Sequence, residues 1–149
     1  MNNLYYEVSV KFDQTQENGL QKKVTEKYLI EAMTFTEAEA KAIELMEEYC
    51  SGEFDITAIS RKQVAAVFRS KNAQADRWFK AKLVFVFLDE KTGKEKRVPE
   101  IMYAQGTDFN DANNNIQEGM QKVAGFAAWE NAVLSETTIV DVLMQDKKK

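Results

Sequence analysis

The chain has no histidine, and that absence excludes more chemistry than anything it contains. Imidazole is the one side chain whose ordinary pKa lies near neutrality. Without it there is no histidine general acid or base, no Ser-His or Cys-His nucleophile, and almost no zinc site. A single cysteine, Cys50, excludes an internal disulfide and every multi-cysteine metal cluster. With nothing to activate its thiol, Cys50 is expected to be a small buried residue. The single proline, Pro99, falls inside a strand-like run. Proline cannot donate a ladder hydrogen bond, so that strand is expected at a sheet edge or bulged. No apolar run approaches the ~20 residues of a membrane span. Met1-Asn2-Asn3-Leu4 lacks the charged and apolar regions of a signal peptide. A cytosolic location and no membrane partner are the default expectation. There is also no glycine-rich phosphate loop, nucleophile elbow or metal-spaced cluster. The expectation is a protein that is not an enzyme, with no catalytic residue, no metal and no cofactor.

What is present is a soluble composition: 149 residues, 44% hydrophobic and 30% charged, with a formal net charge of −4. That length predicts one compact domain with an ordinary core. Charge is uneven, with many acids on helix-like stretches and many bases on hairpin-like ones. The most informative stretch is Gly19-Leu20-Gln21-Lys22-Lys23-Val24-Thr25-Glu26, which recurs as Gly93-Lys94-Glu95-Lys96-Arg97-Val98-Pro99-Glu100. The correspondence continues on both sides at offsets of 73 to 75 residues. Such drift is what duplication followed by small slips at turns produces.

Each copy reads as strand–strand–helix–strand, which makes the fold class α+β: an internal duplication of antiparallel hairpins with one helix per copy, related by a pseudo-twofold. Tyr5 to Phe12 alternates with period two, the pattern of a half-buried strand. Asn18-Gly19 is a hairpin signal because both residues tolerate positive φ. Leu20 to Ala32 is the return strand. A helix follows from Thr36, with Thr36-x-x-Glu39 as its capping box. Its apolar stripe is Ala38, Ala42, Leu45, Met46 and Tyr49. Phe54 to Ser60 is a third strand, and Gln63 to Phe68 stays unassigned. The second copy repeats this with Phe79, Ala81, Leu83, Phe85 and Phe87 on one strand face, a helix from Phe109, and a strand at Val133 to Glu136. Asn113-Asn114-Asn115 and Gly119 make that helix a poor one on its own, so packing must hold it. The repeats run from about 4–68 and 77–143, with a linker at 69–76 and a disordered basic tail at 146–149.

Three groups of residues are candidates for binding. Trp78, Lys80 and Lys82 alternate onto one strand face, with Tyr5 and Lys11 as counterparts in the first copy. Aromatic rings beside lysines suit single-stranded nucleic acid, because bases stack on rings while ammonium groups meet phosphates. The same pattern also fits a seam between copies with ordinary edge-strand lysines. The repeated Lys-Lys/Arg-Val-x-Glu stretch offers Lys23 and Arg97 as a symmetric anion or nucleotide site, or Glu26 and Glu100 as structural partners of Lys22 and Lys96. Asp111, Asn113 to Asn115 and Glu118 form a polar helix face, read as solvated rather than as a cation site.

The stretches Tyr5-Tyr6-Glu7-Val8, Gly19 to Glu26, Phe35-Thr36-Glu37-Ala38-Glu39-Ala40 and Asp76-Arg77-Trp78-Phe79-Lys80 resemble a family of small domains of unknown function found in Bacteroidetes and their phages. The resemblance covers about Leu4 to Leu143 and implies a domain and an origin, with no activity attached. More loosely, the duplicated strand-rich unit is similar to PUR and Whirly folds, which bind single-stranded nucleic acid. Those units place four strands before the helix, and here there are two. The expected function is a non-enzymatic single-stranded nucleic-acid-binding protein. The alternative is a homodimeric, protein-interaction or nucleotide-sequestering module with a symmetric site between the repeats.

Overall fold

The computed structural model of the chain describes residues 3–50, 52–123 and 128–144. The alternating stretches form long hairpins. Strand β1 (Asn3–Thr15) pairs antiparallel with β2 (Gln21–Glu31), and β5 (Arg77–Leu88) with β6 (Glu95–Gly106). The two glycines of the recurring stretch make both turns possible. Gly19 has φ +83° and Gly93 φ +72°, the left-handed region that a β-carbon disfavours.

Each hairpin leads into a helix, α1 (Phe35–Tyr49) or α2 (Phe109–Val123), and then into β3 (Phe54–Val64) or β7 (Ala128–Glu136). Two short strands complete the sheets, β4 (Ala66–Phe68) and β8 (Ile139–Leu143). The chain is a mixed α+β fold with two four-stranded, mostly antiparallel sheets, ordered β3-β1-β2-β8 and β4-β6-β5-β7.

The compact units do not follow the repeat boundaries. The first unit is Asn3–Gln63 with residues 138–144, and the second is Val64–Thr137. The short strands cause the difference. Strand β8 pairs parallel with β2, from Lys27↔Ile139 to Ile30↔Leu143, and β4 pairs parallel with β6 over Ala66↔Met102 to Phe68↔Ala104. Parallel partners lie far apart in sequence and leave no turn signal between them, which is why Gln63 to Phe68 could not be assigned from pattern. Residues 69–76 contain no strand or helix and fall within the second unit. The tail at 146–149 lies outside the described residues.

In each unit the helix covers one sheet face. The first core is Tyr6, Val8, Val10, Tyr28, Ile30, Ala38, Ala42 and Met46; the second is Phe79, Ala81, Leu83, Met102, Ala104, Ala112, Ile116 and Met120. The weak helix-former α2 is held by packing, as its composition requires. Gly106 is part of that packing, since a β-carbon there would lie 2.6 Å from the Ala112 backbone nitrogen.

Four local expectations are corrected. The cap of α1 is Thr34, not Thr36: its hydroxyl accepts from the Glu37 N–H at 3.1 Å, and the Glu37 carboxylate accepts from the Met33 N–H at 3.0 Å. The same box recurs at α2, where Asp108 accepts from the Asp111 N–H at 2.8 Å and Asp111 from the Thr107 N–H at 2.9 Å. Tyr49, the last residue of α1, is exposed and not part of the buried stripe. Cys50 is only partly buried, its thiol 3.9 Å from the Glu53 carbonyl. Pro99 sits on an interior strand, yet β4 pairs with β6 only over Met102–Ala104, so around Pro99 that side of the strand has no partner among the described residues. The missing N–H is tolerated there for the reason it is tolerated at an edge.

Candidate functional site

The expected aromatic–lysine face is split by burial. Trp78 and Tyr5 are 1% and 2% exposed, whereas Lys80, Lys82 and Lys11 are exposed. Trp78 lies beneath the Arg69 guanidinium, 5.5 Å from the ring centroid, and its carbonyl accepts from the N–H and hydroxyl of Thr137 at 3.1 and 3.2 Å. Neither ring offers a free surface on which a base could stack. Alternation sorts these side chains onto one face; it could not show that the two rings are buried.

Lys23 and Arg97 lie on the outer reaches of their own hairpins, Lys23 in the first unit and Arg97 in the second. Lys23 is 3.7 Å from Asp13, its direct cross-strand neighbour. Glu26 does not pair with Lys22 as read from sequence; it accepts a hydrogen bond from the Tyr28 hydroxyl at 3.0 Å. Burial first, and this hydrogen bond second, push the Tyr28 phenol well above its ordinary value. The recurring stretch is thus mainly a hairpin device in the first unit.

An exposed aromatic–lysine surface exists elsewhere, on the outer arm of β5–β6. Phe79, Ala81 and Leu83 are buried beneath α2, and Phe85 is half-buried at the margin of that core. Phe87, two residues on and on the same face, is 48% exposed. The Phe85 and Phe87 rings stack with centroids 6.3 Å apart and an interplanar angle of 21°. Directly opposite residues of an antiparallel ladder share a face, so Lys96, opposite Phe87, lies beside this stack, and Val98 lies opposite Phe85. The turn beyond, closed by the Asp89 N–H to the Lys94 carbonyl at 2.9 Å, exposes Lys91 and Lys94. In the first unit the corresponding ladder rungs are Phe12↔Val24 and Gln14↔Lys22, so glutamine stands in the place of Phe87.

A second feature was legible only in pieces. Between α2 and the segment Val67 to Asn72 lies a cleft of about 610 Å³, in the range of small-molecule sites. Arg69, Lys71, Lys122, Asn72 and Asn115 line it, together with Asp111 and Glu118. The Phe68 ring lies so close to the backbone of α2 that a β-carbon on Gly119 would fall 2.4 Å from it. Both carboxylates are engaged. Asp111 also accepts from the Ser70 hydroxyl at 3.4 Å, and Glu118 is 3.7 Å from Lys71. Sequence reasoning picked out Asp111, Asn115 and Glu118 as a solvated helix face; it missed the linker bases, whose position depends on β4 joining this sheet. Among the described residues no group of three or more cysteine, aspartate or glutamate side chains is arranged to hold a metal, and no helix is long and apolar enough to cross a membrane.

Residues 4–145 match the family described as Domain of unknown function (DUF4494). Neither the curated proteins nor the solved structures yield a significant match.

Proposed function

The chain belongs to the DUF4494 family of domains of unknown function, and we propose that it is a non-enzymatic single-stranded nucleic-acid-binding protein whose contact surface is the outer arm of β5–β6. The observation that carries this reading is the stacked Phe85–Phe87 pair beside Lys96. An exposed ring accepts any base, because every base has a π-face, and each such stack is worth about 1–3 kcal/mol. Lys96, Lys94 and Lys91 are placed to meet phosphates along the arm and its turn. Lys80 and Lys82, exposed on the opposite face of β5, add positive charge to the same hairpin. Trp78 and Tyr5, the rings first expected to stack, are structural here.

The net charge of −4 works against long-range attraction to a polyanion. Binding should therefore be weak, with a dissociation constant of roughly 10⁻⁵ M at low salt, and should fade as salt rises. Fluorescence anisotropy with a labelled ~30-mer of deoxythymidine, longer than one typical site, tests it. Phe87→Ala should weaken binding by roughly 5- to 150-fold, the range that one lost stack gives. Absence of saturable binding at low salt, or an unchanged affinity for Phe87→Ala, rejects the proposal. A defined dimer in light scattering that Phe87→Ala disrupts, in the absence of DNA binding, would instead make the arm a protein-contact surface.

A further inference from the structure

We infer that the outer edge of β6 in the second unit is a pairing surface for a second copy of the chain, held closed by Pro99. Backbone parity fixes which groups face outward. Hydrogen-bonded rungs alternate with unbonded ones along an antiparallel ladder. The Asp89 N–H donates to the Lys94 carbonyl at 2.9 Å, so the bonded rungs that follow are Phe87↔Lys96, Phe85↔Val98 and Leu83↔Glu100. Even-numbered residues of β6 thus bond β5, while Glu95, Arg97, Pro99 and Ile101 turn their backbone groups to the other side. The Ala65 N–H reaches the Ile101 carbonyl from that side at 2.8 Å, as this parity requires. Among the described residues no strand pairs with Glu95 to Pro99 there, because the pairing of β4 begins at Met102. Proline therefore stands where its missing N–H takes nothing from the hairpin and interrupts the row of outward donors. One place to either side, it would remove a bond to β5.

The first unit supplies the control. Its Ala32 N–H donates to the Leu4 carbonyl at 3.2 Å, which sets the same parity and turns Gln21, Lys23 and Thr25 outward. Thr25 holds the place of Pro99 in the recurring stretch. Turn and ladder form with either residue, so the fold does not require the proline. What differs is the strand behind it. Strand β1 ends in Lys11-Phe12-Asp13-Gln14-Thr15, whereas β5 ends in Leu83-Val84-Phe85-Val86-Phe87-Leu88, six apolar residues in a row. Phe87 and Leu88, on opposite faces, are 48% and 67% exposed. An uncharged run of β-forming residues associates readily once an open edge lets its sheet extend. Charge along β6 does not prevent this. Glu95, Lys96, Arg97 and Glu100 carry two charges of each sign, so an antiparallel copy can set opposite charges against one another. A second copy brings the same edge and the same apolar faces, which makes it the partner this surface fits. Proline accompanies the apolar arm, and threonine the polar one.

The test is sedimentation velocity of the full chain beside Pro99→Thr, which installs the first unit's residue, over about a hundredfold range of concentration. Pro99→Thr should strengthen self-association by about tenfold or more, the gain expected from one restored donor on each of two copies. Hydrogen exchange gives the location. The amide introduced at position 99 should exchange slowly at high concentration and fast on dilution. The urea midpoint of Pro99→Thr at low concentration should not fall, since that N–H joins no bond to β5. Self-association no stronger than that of the unaltered chain overturns the inference. So does exchange at position 99 that is independent of concentration, or a lowered urea midpoint that traces the association to unfolding. The result is separable from that at the arm. A dimer formed through the exposed rings alone would be present in the unaltered chain and lost in Phe87→Ala, whereas edge pairing emerges only once Pro99 is replaced.

Discussion

The two units share an order of elements, a hairpin turn, a capping box and an aromatic contact between first strand and helix (Tyr6–Phe35 and Phe79–Phe109, each with centroids 4.8 Å apart). They differ where structure places no demand. The first arm carries Gln14 opposite Lys22 and an Asp13–Lys23 pair; the second carries Phe87 opposite Lys96, with Val86 opposite Arg97. A cleft of about 220 Å³ in the first unit is lined by Lys41, Glu44 and Glu48 among others, while the cleft of about 610 Å³ in the second carries Arg69, Lys71 and Lys122 beside Asp111 and Glu118. Features common to both units are explained by folding, and features confined to one call for another explanation.

The largest expected effect separates aromatic residues that fold the protein from those proposed to bind. Trp78→Ala removes a 1% exposed indole and should cost about 3–5 kcal/mol in urea denaturation. Phe87→Ala, at 48% exposure, should change stability by about 0.5 kcal/mol or less. Similar losses from both would place Phe87 in the core and remove the arm as a binding surface.

That contrast also marks how far the sequence could be read. Period-two alternation located β1, β2, β5 and β6, and the recurring glycines located their turns, because both are local signals. The cap was misplaced by two residues, since Thr34-Phe35-Thr36-Glu37 presents two hydroxyls and only the backbone path selects between them. The burial of Trp78 was not legible, because alternation sorts side chains onto two faces without showing which of them is covered. The cleft was hidden for a related reason: Arg69 and Lys71 join α2 only once β4 has taken its place beside β6.

Next in size is the exchange of bulk between strand and helix. A glycine on a helix normally gains about 1 kcal/mol on conversion to alanine. At Gly119 the new β-carbon would fall 2.4 Å from the Phe68 ring, so Gly119→Ala should instead cost about 1–3 kcal/mol. In the first unit Leu45 of α1 and Leu143 of β8 both pack against the core and line one depression. Adding Phe68→Leu should then recover much of the loss, giving a positive coupling in a double-mutant cycle. Strict additivity would mean that the two sites do not share this contact.

Smaller still are the caps. Thr34→Ala and Asp108→Ala should each cost about 1 kcal/mol by loss of one hydrogen bond to the first helical turn. Equal losses measured by urea denaturation would support equivalent roles in the two units; a loss at one helix only would break the correspondence between the two caps.

The smallest effect is in acid. The Met33 N–H first, and the Lys41 ammonium second, hold the Glu37 carboxyl below its ordinary value of 4.5. The ionised form is thus favoured by the folded state, so its contribution is present above about pH 4.5 and is lost as pH falls through the lowered folded value. Arg77 does the same for Glu136 in the second unit through a two-point contact at 2.6 and 3.0 Å. Glu37→Gln keeps an oxygen for the Met33 N–H but removes the charge. Its stability should consequently fall less steeply than that of the unaltered chain between about pH 5 and pH 3. Glu136 is exposed and Glu37 partly exposed, so the difference in slope should be small and should shrink in high salt. An unchanged acid limb in Glu37→Gln would show that the cap acts through its hydrogen bond alone and leave Glu136 as the expected source of acid sensitivity. Glu136→Gln then decides whether that sensitivity belongs to the second unit.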